Sequence, residues 1–193
     1  KCTKEVIRFC KTYKKKLIFI SSTSLYGSQN TIMYENLKYK YLKPQSPYAE
    51  CKLKEEKLIQ KHLKDKNSYL ILRFGTIYGK SPGMRFHTAV NKFCFQAAFN
   101  QPITVWETAL NQRRPYLSIK DACNSISHVI NLNLFTNDIY NVLTANMTVK
   151  EIINIIKKYR PSLKIDFVKN KIMNQLSYEV SNEKFKNTKF RFR

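Results

Sequence analysis

Glycine is scarce in this 193-residue chain, which contains only Gly27, Gly75, Gly79 and Gly83. None of them belongs to a G-x-G-x-x-G or G-x-x-G-x-x-G pattern, so the sequence carries no glycine-rich turn of the kind that cradles a pyrophosphate. No apolar run approaches the roughly 20 residues that cross a bilayer. No apolar segment of the kind found in signal peptides follows the start. We therefore expect no membrane partner.

Paired cysteines and metal-ligand spacings are also missing. The chain has five cysteines, an odd number, and no C-x-x-C pattern, so neither a closed disulfide framework nor a zinc site is predicted. The three histidines are scattered along the sequence. We expect no metal ion, and a reducing, cytoplasmic location.

Acidic residues are few, with 13 Asp and Glu against 35 Lys and Arg, and the net charge is +22. Residues 38–41 and 189–193 alternate basic and aromatic side chains, as proteins that bind single-stranded nucleic acids do. The lysines are spread along the whole chain, and charge of this kind bears on non-specific contacts rather than on fold. We expect no specific nucleic-acid partner, and keep a basic nucleic-acid-binding module on a degraded enzyme fold as an alternative.

Short apolar segments alternate with helical patterns along the chain, which predicts an α/β fold. Strands are expected over residues 17–20, 69–74, 103–106, 116–119, 138–142 and 164–168, the first two buried on both faces of a parallel sheet. Helices are expected from Ser46-Pro47 to residues 62–64, over 88–99, and over 121–131 with Asp121 as the cap. Another helix should follow a capping box formed by Thr148 and Glu151.

Tyr48 and Lys52 form a Tyr-x-x-x-Lys pair near the start of the helix that Ser46-Pro47 begins. Residues four apart lie on one helix face, and a lysine ammonium beside a phenol favours the phenolate, which can act as a general base. Ser22, at the end of an apolar strand, could hold a substrate hydroxyl opposite the phenol. Tyr34 and Lys38 match the same spacing, and we interpret that pair as part of a surface turn.

The order of these motifs resembles that of the extended short-chain dehydrogenase/reductase family, and within it the NAD-dependent sugar-nucleotide epimerases and dehydratases of the UDP-glucose/galactose 4-epimerase type. The resemblance rests on residues 21–27, 44–52, 72–79, 112–122 and 140–142, which follow one another in the family's order. It implies a Rossmann-like fold, NAD as cofactor (NADP is not excluded) and a nucleotide-sugar substrate.

By this resemblance, each site residue is expected to serve catalysis, the cofactor or the substrate. The catalytic residues are Ser22, Tyr48 and Lys52. The cofactor-binding residues are Ser21, Tyr48, Lys52, Gly75 and Ile77. The substrate-binding residues are Thr23, Thr76, Arg85 and Arg114. In 4,6-dehydratases an Asp-Glu pair stands where this chain has Thr23 and Ser24, so an epimerase is favoured. A dehydratase, decarboxylase or reductase of the same family is the alternative.

The resemblance also predicts the organisation of the chain. Residues 1–79 and 121–143 are expected to form the C-terminal portion of a Rossmann-like parallel sheet, an incomplete NAD-binding part. Residues 80–120 and 144–193 are expected to form a smaller α+β substrate lobe. Because the family's glycine-rich loop lies further upstream, we expect on the order of 100 residues before Lys1 in a full-length homodimer. The 193 residues alone are then expected neither to bind NAD tightly nor to turn over substrate.

Overall fold

The computed structural model describes residues 1–169 and 176–193. Its helices are α1 (Cys2–Thr12), α2 (Pro47–His62), α3 (Ala89–Ala98), α4 (Ile119–Asn131), α5 (Val149–Tyr159) and α6 (Glu183–Lys186). Its strands are β1 (Leu17–Ser22), β2 (Ile32–Met33), β3 (Tyr69–Phe74), β4 (Thr76–Tyr78), β5 (Ile103–Trp106), β6 (Arg113–Ser118), β7 (Asp138–Val142), β8 (Ala145–Thr148), β9 (Ile165–Val168) and β10 (Glu179–Val180). Short 3₁₀ turns cover Thr23–Tyr26, Tyr39–Tyr41 and Glu107–Ala109.

The central sheet has the strand order β1-β3-β7 and is parallel throughout. Its register pairs Leu17 with Tyr69 at one end and Ser22 with Phe74 at the other, so the carboxyl ends of β1 and β3 lie side by side. Helices and strands alternate along the chain. The predicted α/β class is therefore confirmed.

The two strands that were predicted to be covered on both faces differ in burial. All six residues of β3 are buried, whereas five of the six in β1 are only half-buried. The reason is position, because β3 lies between two strands while β1 pairs with β3 alone among the described residues. The outer edge of β1 is thus an open sheet edge in this part of the chain.

Among the described residues, three further sheets accompany the central one, one of three strands and two of two strands. Strand β6 pairs in parallel with β4 and antiparallel with β8, while β5 pairs with β9 and β2 with β10, both in parallel. Phe185 and Phe190, near the C-terminus, pack with Leu70 and Leu72 of β3 in one hydrophobic core. The C-terminal residues therefore contact the central sheet directly, and the division into a sheet part and a substrate lobe stays a prediction.

Local capping signals explain where the helices begin. Ser46 caps α2 and Pro47 is its first residue, as predicted, and Thr148 with Glu151 forms the predicted capping box of α5. The prediction that Asp121 caps α4 is wrong, because Ser118 holds that position and its hydroxyl accepts a hydrogen bond from the main chain of Asp121. The buried carboxylate of Asp121 instead accepts a hydrogen bond from the hydroxyl of Thr144 at 2.6 Å.

The basic-aromatic tail over residues 189–193 directs its rings inward. Phe190 is buried, and Phe192 is half-buried and packs against the same core. Rings in these positions cannot stack on bases without unpacking, which removes the tail as support for the nucleic-acid alternative. Within residues 1–169 and 176–193, no helix combines the length and the apolar character that a bilayer span requires.

Candidate active site

The carboxyl end of β1 runs directly into a hydroxyl-rich turn. Ser22 caps the 3₁₀ turn Thr23–Tyr26, its hydroxyl accepting a hydrogen bond from the main-chain N–H of Ser24 at 3.2 Å. Gly27 ends the turn with a φ of +67° and a ψ of −171°, a conformation that is essentially restricted to glycine. The turn thus holds the Ser22 side chain at the strand end, where open α/β sheets bind their ligands.

The start of α2 lies opposite this turn. Because Ser46 caps the helix, Tyr48 falls in its first turn, where its side chain is 58% exposed. Lys52 lies one turn further on, and its ammonium donates a hydrogen bond to the main-chain oxygen of Ile20 at 3.0 Å. The same ammonium lies 6.0 Å from the ring centre of Tyr48 and 3.4 Å from a carboxylate oxygen of Glu55. Lys52 therefore bridges α2 and β1.

A cleft of about 530 Å³ opens between these elements. It brings together most of the residues that the sequence predicts for the site, namely Ser21, Ser22, Thr23, Tyr48, Gly75, Thr76, Ile77 and Arg85. Lys52 and Arg114 are absent from its described lining. The ammonium of Lys52 is bonded to Ile20, and the guanidinium of Arg114, on β6, donates a hydrogen bond to the main-chain oxygen of Leu176 at 2.9 Å.

The lining of the cleft is rich in hydroxyl groups and poor in charge. Among the described lining residues, Arg85 carries the one formal charge, and there is no Asp or Glu. Within the described residues there is also no group of three or more His, Cys, Asp or Glu side chains that could hold a metal ion. The cleft is therefore suited to a ligand with several hydroxyls and a negative charge.

Tyr178 and Asn91 also line this cleft, and the sequence did not single them out. The hydroxyl of Tyr178 lies 3.2 Å from that of Thr23, and burial raises the pKa of Tyr178 to about 12, so it stays a protonated phenol. The amide of Asn91 accepts a hydrogen bond from the N–H of Gly79 at 2.9 Å and donates one to the main-chain oxygen of Arg85 at 3.0 Å. No sequence pattern signals the contact of Tyr178, because it lies 155 residues from Thr23.

The second Tyr-x-x-x-Lys match lies away from the cleft. Tyr34 is half exposed, and the N–H of Leu37 bonds to its carbonyl oxygen at 3.3 Å in a turn. Tyr34 is not among the cleft residues, so the interpretation of this pair as part of a surface turn agrees with the structure.

Comparison with known proteins identifies the family to which this chain belongs. Residues 1–142 match the model of the NAD dependent epimerase/dehydratase family. The chain belongs to this family. One curated relative is the dTDP-D-glucose 4,6-dehydratase of Dictyostelium discoideum, which is 31% identical over an alignment of 139 residues that covers 66% of this chain and 31% of the relative.

Solved structures agree with the family's fold. A dTDP-glucose 4,6-dehydratase from Bacillus anthracis, solved with NAD, superimposes with a TM-score of 0.81 at 22% identity, over 96% of this chain and 59% of that one. A UDP-glucose 4-epimerase from Thermus thermophilus, also with NAD, gives a TM-score of 0.78 at 21% identity, over 99% and 63%. The predicted Rossmann-like architecture of an epimerase/dehydratase is thereby confirmed. The chain spans about three fifths of the length of these structures.

Proposed function

We infer that this epimerase/dehydratase family member is a sugar-nucleotide epimerase that works with NAD and passes through a keto-sugar intermediate. Tyr48 is the general base, assisted by Lys52 and Ser22. The observation that carries the proposal is the placement of Ser22 and Tyr48 on one cleft, with the ammonium of Lys52 beside the Tyr48 ring and no carboxylate among the described lining residues.

The residues at the strand ends fit the nicotinamide half of NAD. Tyr48, Gly75 and Ile77 line the cleft, and we assign the ribose contacts to the hydroxyl of Tyr48 and to the ammonium of Lys52, which lies 6.0 Å from the Tyr48 ring centre. The hydroxyl of Ser21 donates to Glu56 at 2.6 Å, so we assign any cofactor contact of Ser21 to its main chain. The pyrophosphate half requires a glycine-rich turn, which the 193 residues do not contain. When bound, NAD supplies the hydride acceptor for oxidation of the sugar carbinol.

Proton handling falls to this chain's own side chains. The hydroxyl of Ser22 orients the substrate hydroxyl, and the phenolate of Tyr48 takes up its proton as the carbinol carbon is oxidised. The ammonium of Lys52, anchored to Ile20, stabilises the phenolate by its positive charge. Tyr48 then gives the proton back to the carbonyl oxygen, and the hydride that the bound cofactor would hold would return to the opposite face of the same carbon, which completes an epimerisation.

Substrate recognition is assigned to Thr23, Thr76 and Arg85. All three line the cleft, and the guanidinium of Arg85 suits a diphosphate because it offers paired donors. The role of Arg114 stays a prediction from the sequence, since this residue lies outside the described cleft lining.

An epimerase is favoured over a dehydratase by the groups around Thr23. Elimination of water needs an acid and a base beside the sugar, whereas Thr23 donates a hydrogen bond to the main-chain oxygen of Phe74 at 3.3 Å and contacts Tyr178. Neither the hydroxyl of Thr23 nor that of Tyr178 can replace a carboxylate as acid or base at neutral pH. The curated relative is a dehydratase, so product analysis must separate the two reactions.

The decisive experiment replaces the general base in an extended protein, defined here as this chain preceded by the glycine-rich βαβ units of a family member. Tyr48→Phe should lower kcat by at least about 100-fold, the usual scale for a positioned acid or base. Tyr34→Phe, at the other Tyr-x-x-x-Lys pair, is the matched control and should retain turnover.

Substrates for this assay are UDP-glucose, UDP-glucuronic acid and dTDP-glucose, with products identified by NMR. Formation of the 4-epimer supports the proposal, and a 4-keto-6-deoxy sugar would replace it with dehydration. Near-normal turnover of Tyr48→Phe would remove the catalytic assignment.

A further inference from the structure

A fully buried ion pair lies directly behind the candidate active site. Arg73, in β3, and Glu56, on α2, both have no exposed surface. The guanidinium donates two hydrogen bonds to the two carboxylate oxygens, at 2.9 and 2.7 Å. A well-packed apolar pair of similar volume is often equally stable, so stability by itself does not account for charges at this depth.

Three further groups extend the pair into what we call the Glu56–Arg73 network, which comprises Glu56, Arg73, Ser21, Tyr26 and Asn141. The hydroxyl of Ser21 donates to Glu56 at 2.6 Å, and Arg73 donates to the hydroxyl of Tyr26 at 3.0 Å. Tyr26 in turn donates to the side-chain oxygen of Asn141 at 2.9 Å. Burial raises the pKa of Tyr26, which keeps its phenol protonated and able to donate.

The network joins every strand of the central sheet to the catalytic helix. Ser21 belongs to β1, Arg73 to β3, Asn141 to β7 and Glu56 to α2, while Tyr26 ends the turn that follows Ser22. The fork of the guanidinium allows one relative position of β3 and α2, because both of its bonds to the carboxylate must form together.

The position of Glu56 along α2 connects this network to the chemistry. Tyr48, Lys52 and Glu56 follow one another at four-residue intervals, so they lie along one side of the helix. Tyr48 is exposed at the cleft, Lys52 is half-buried and Glu56 is completely buried, so this side of α2 runs from the cleft into the core. At the other end of the network, Ser21 is the immediate neighbour of Ser22.

We propose that Glu56, Arg73 and Tyr26 are positioning residues that hold Tyr48 and Lys52 on α2 in register with Ser22 at the end of β1. This inference rests on the proposed function, since it assigns the network to alignment of the catalytic groups. Misalignment by about 1 Å can lower a catalysed rate about 100-fold, so rigid anchoring of two separate elements has a direct catalytic effect.

The first test measures steady-state kinetics in the extended protein. Tyr26→Phe removes one hydroxyl from the network and should lower kcat about 10-fold, with little change in KM, because alignment rather than substrate contact is lost. Tyr41→Phe, at an exposed tyrosine, is the matched control. Wild-type kcat in Tyr26→Phe would overturn the proposal.

The double variant Glu56→Leu/Arg73→Met separates positioning from stability. It removes both charges together and leaves no unpaired ion, so its melting temperature should stay near that of the wild type. Its kcat should nevertheless fall by about 100-fold. A kcat and a melting temperature that both equal those of the wild type would show that the network is only structural. If the double variant does not fold, the Tyr26→Phe result decides.

A second readout needs no turnover and uses the 193-residue chain itself. Hydrogen exchange is measured for the amides of α2 and of β3 in the wild type and in Tyr26→Phe. Positioning predicts exchange at least about 10-fold faster in α2 with β3 unchanged, because β3 stays paired with β1 and β7 whereas α2 is held by the Arg73 guanidinium that Tyr26 orients. Equal acceleration in both elements, or none, contradicts the proposal. If the extended wild-type protein shows no turnover, the proposed function is refuted, while the hydrogen-exchange result still tests whether the network holds α2.

Discussion

Replacing Gly27 by alanine should be strongly destabilising. Gly27 ends the turn after β1 with a φ of +67° and a ψ of −171°, a backbone region in which non-glycine residues are strained by about 1–3 kcal/mol. A Cβ at this position would also fall on the carbonyl oxygen of Lys43 and lie 2.9 Å from its carbonyl carbon. The atoms in the way belong to the main chain, so relief requires movement of a whole segment rather than of one side chain.

The two effects add, since the strained dihedral angles persist even if the Lys43 segment moves away. We expect Gly27→Ala to lower the free energy of unfolding by about 3 kcal/mol or more. For a chain of this size about 1 kcal/mol shifts the melting temperature by roughly 2–4 °C, so the expected decrease is about 6–12 °C.

Urea unfolding followed by circular dichroism, together with a thermal scan, measures this difference. Gly83→Ala is the matched control, because a Cβ there meets no atom within 4 Å. It should leave stability unchanged or raise it by up to about 1 kcal/mol, through loss of freedom in the unfolded chain. A Gly27→Ala protein within about 0.5 kcal/mol of the control would refute the steric reasoning.

Two other predictions concern stability and assembly. Thr148→Ala should lower the free energy of unfolding by about 1 kcal/mol in urea titrations, because it removes the cap of α5, and an unchanged midpoint would contradict this. Hydrogen bonds from the main chain and the hydroxyl of Thr148, and then the charge of Arg113, lower the pKa of Glu151 below its ordinary 4.5. The stabilisation that the Glu151 carboxylate contributes is therefore fully present above pH 4.5 and is lost as the pH falls through the lowered pKa. Glu151→Gln should therefore show a weaker acid dependence of unfolding than the wild type. The chain alone should self-associate through the open edge of β1, which sedimentation experiments measure. It should also give no micromolar NAD binding by calorimetry, and such binding would show that the glycine-rich loop is dispensable.

Several elements followed from local sequence. The apolar segment over residues 69–74 became β3 at its predicted bounds, and the cap at Ser46 set the start of α2 because a hydroxyl and a proline act within one turn. The order of motifs was sufficient to predict the family, since those motifs combine residue type with a fixed sequence of strand, turn and helix. Asp121 was wrongly predicted to cap α4 because its residue type suits a cap, whereas Ser118 occupies the cap position.

The contacts that complete the site were decided only by tertiary structure. Sequence spacing placed Tyr48 and Lys52 on one face of a helix, but it did not reveal the network of Glu56 and Arg73. That network continues through Tyr26 to Asn141, which lies 115 residues further along the chain. Tyr178 reaches Thr23 across 155 residues, a distance at which no local pattern operates. Backbone capping and periodicity depend on neighbours within a few residues, and so the sequence determined the elements and the Tyr-x-x-x-Lys spacing of Tyr48 and Lys52. Burial, ion pairing and the walls of the cleft depend on which distant segments pack together, and so they were determined by the folded chain.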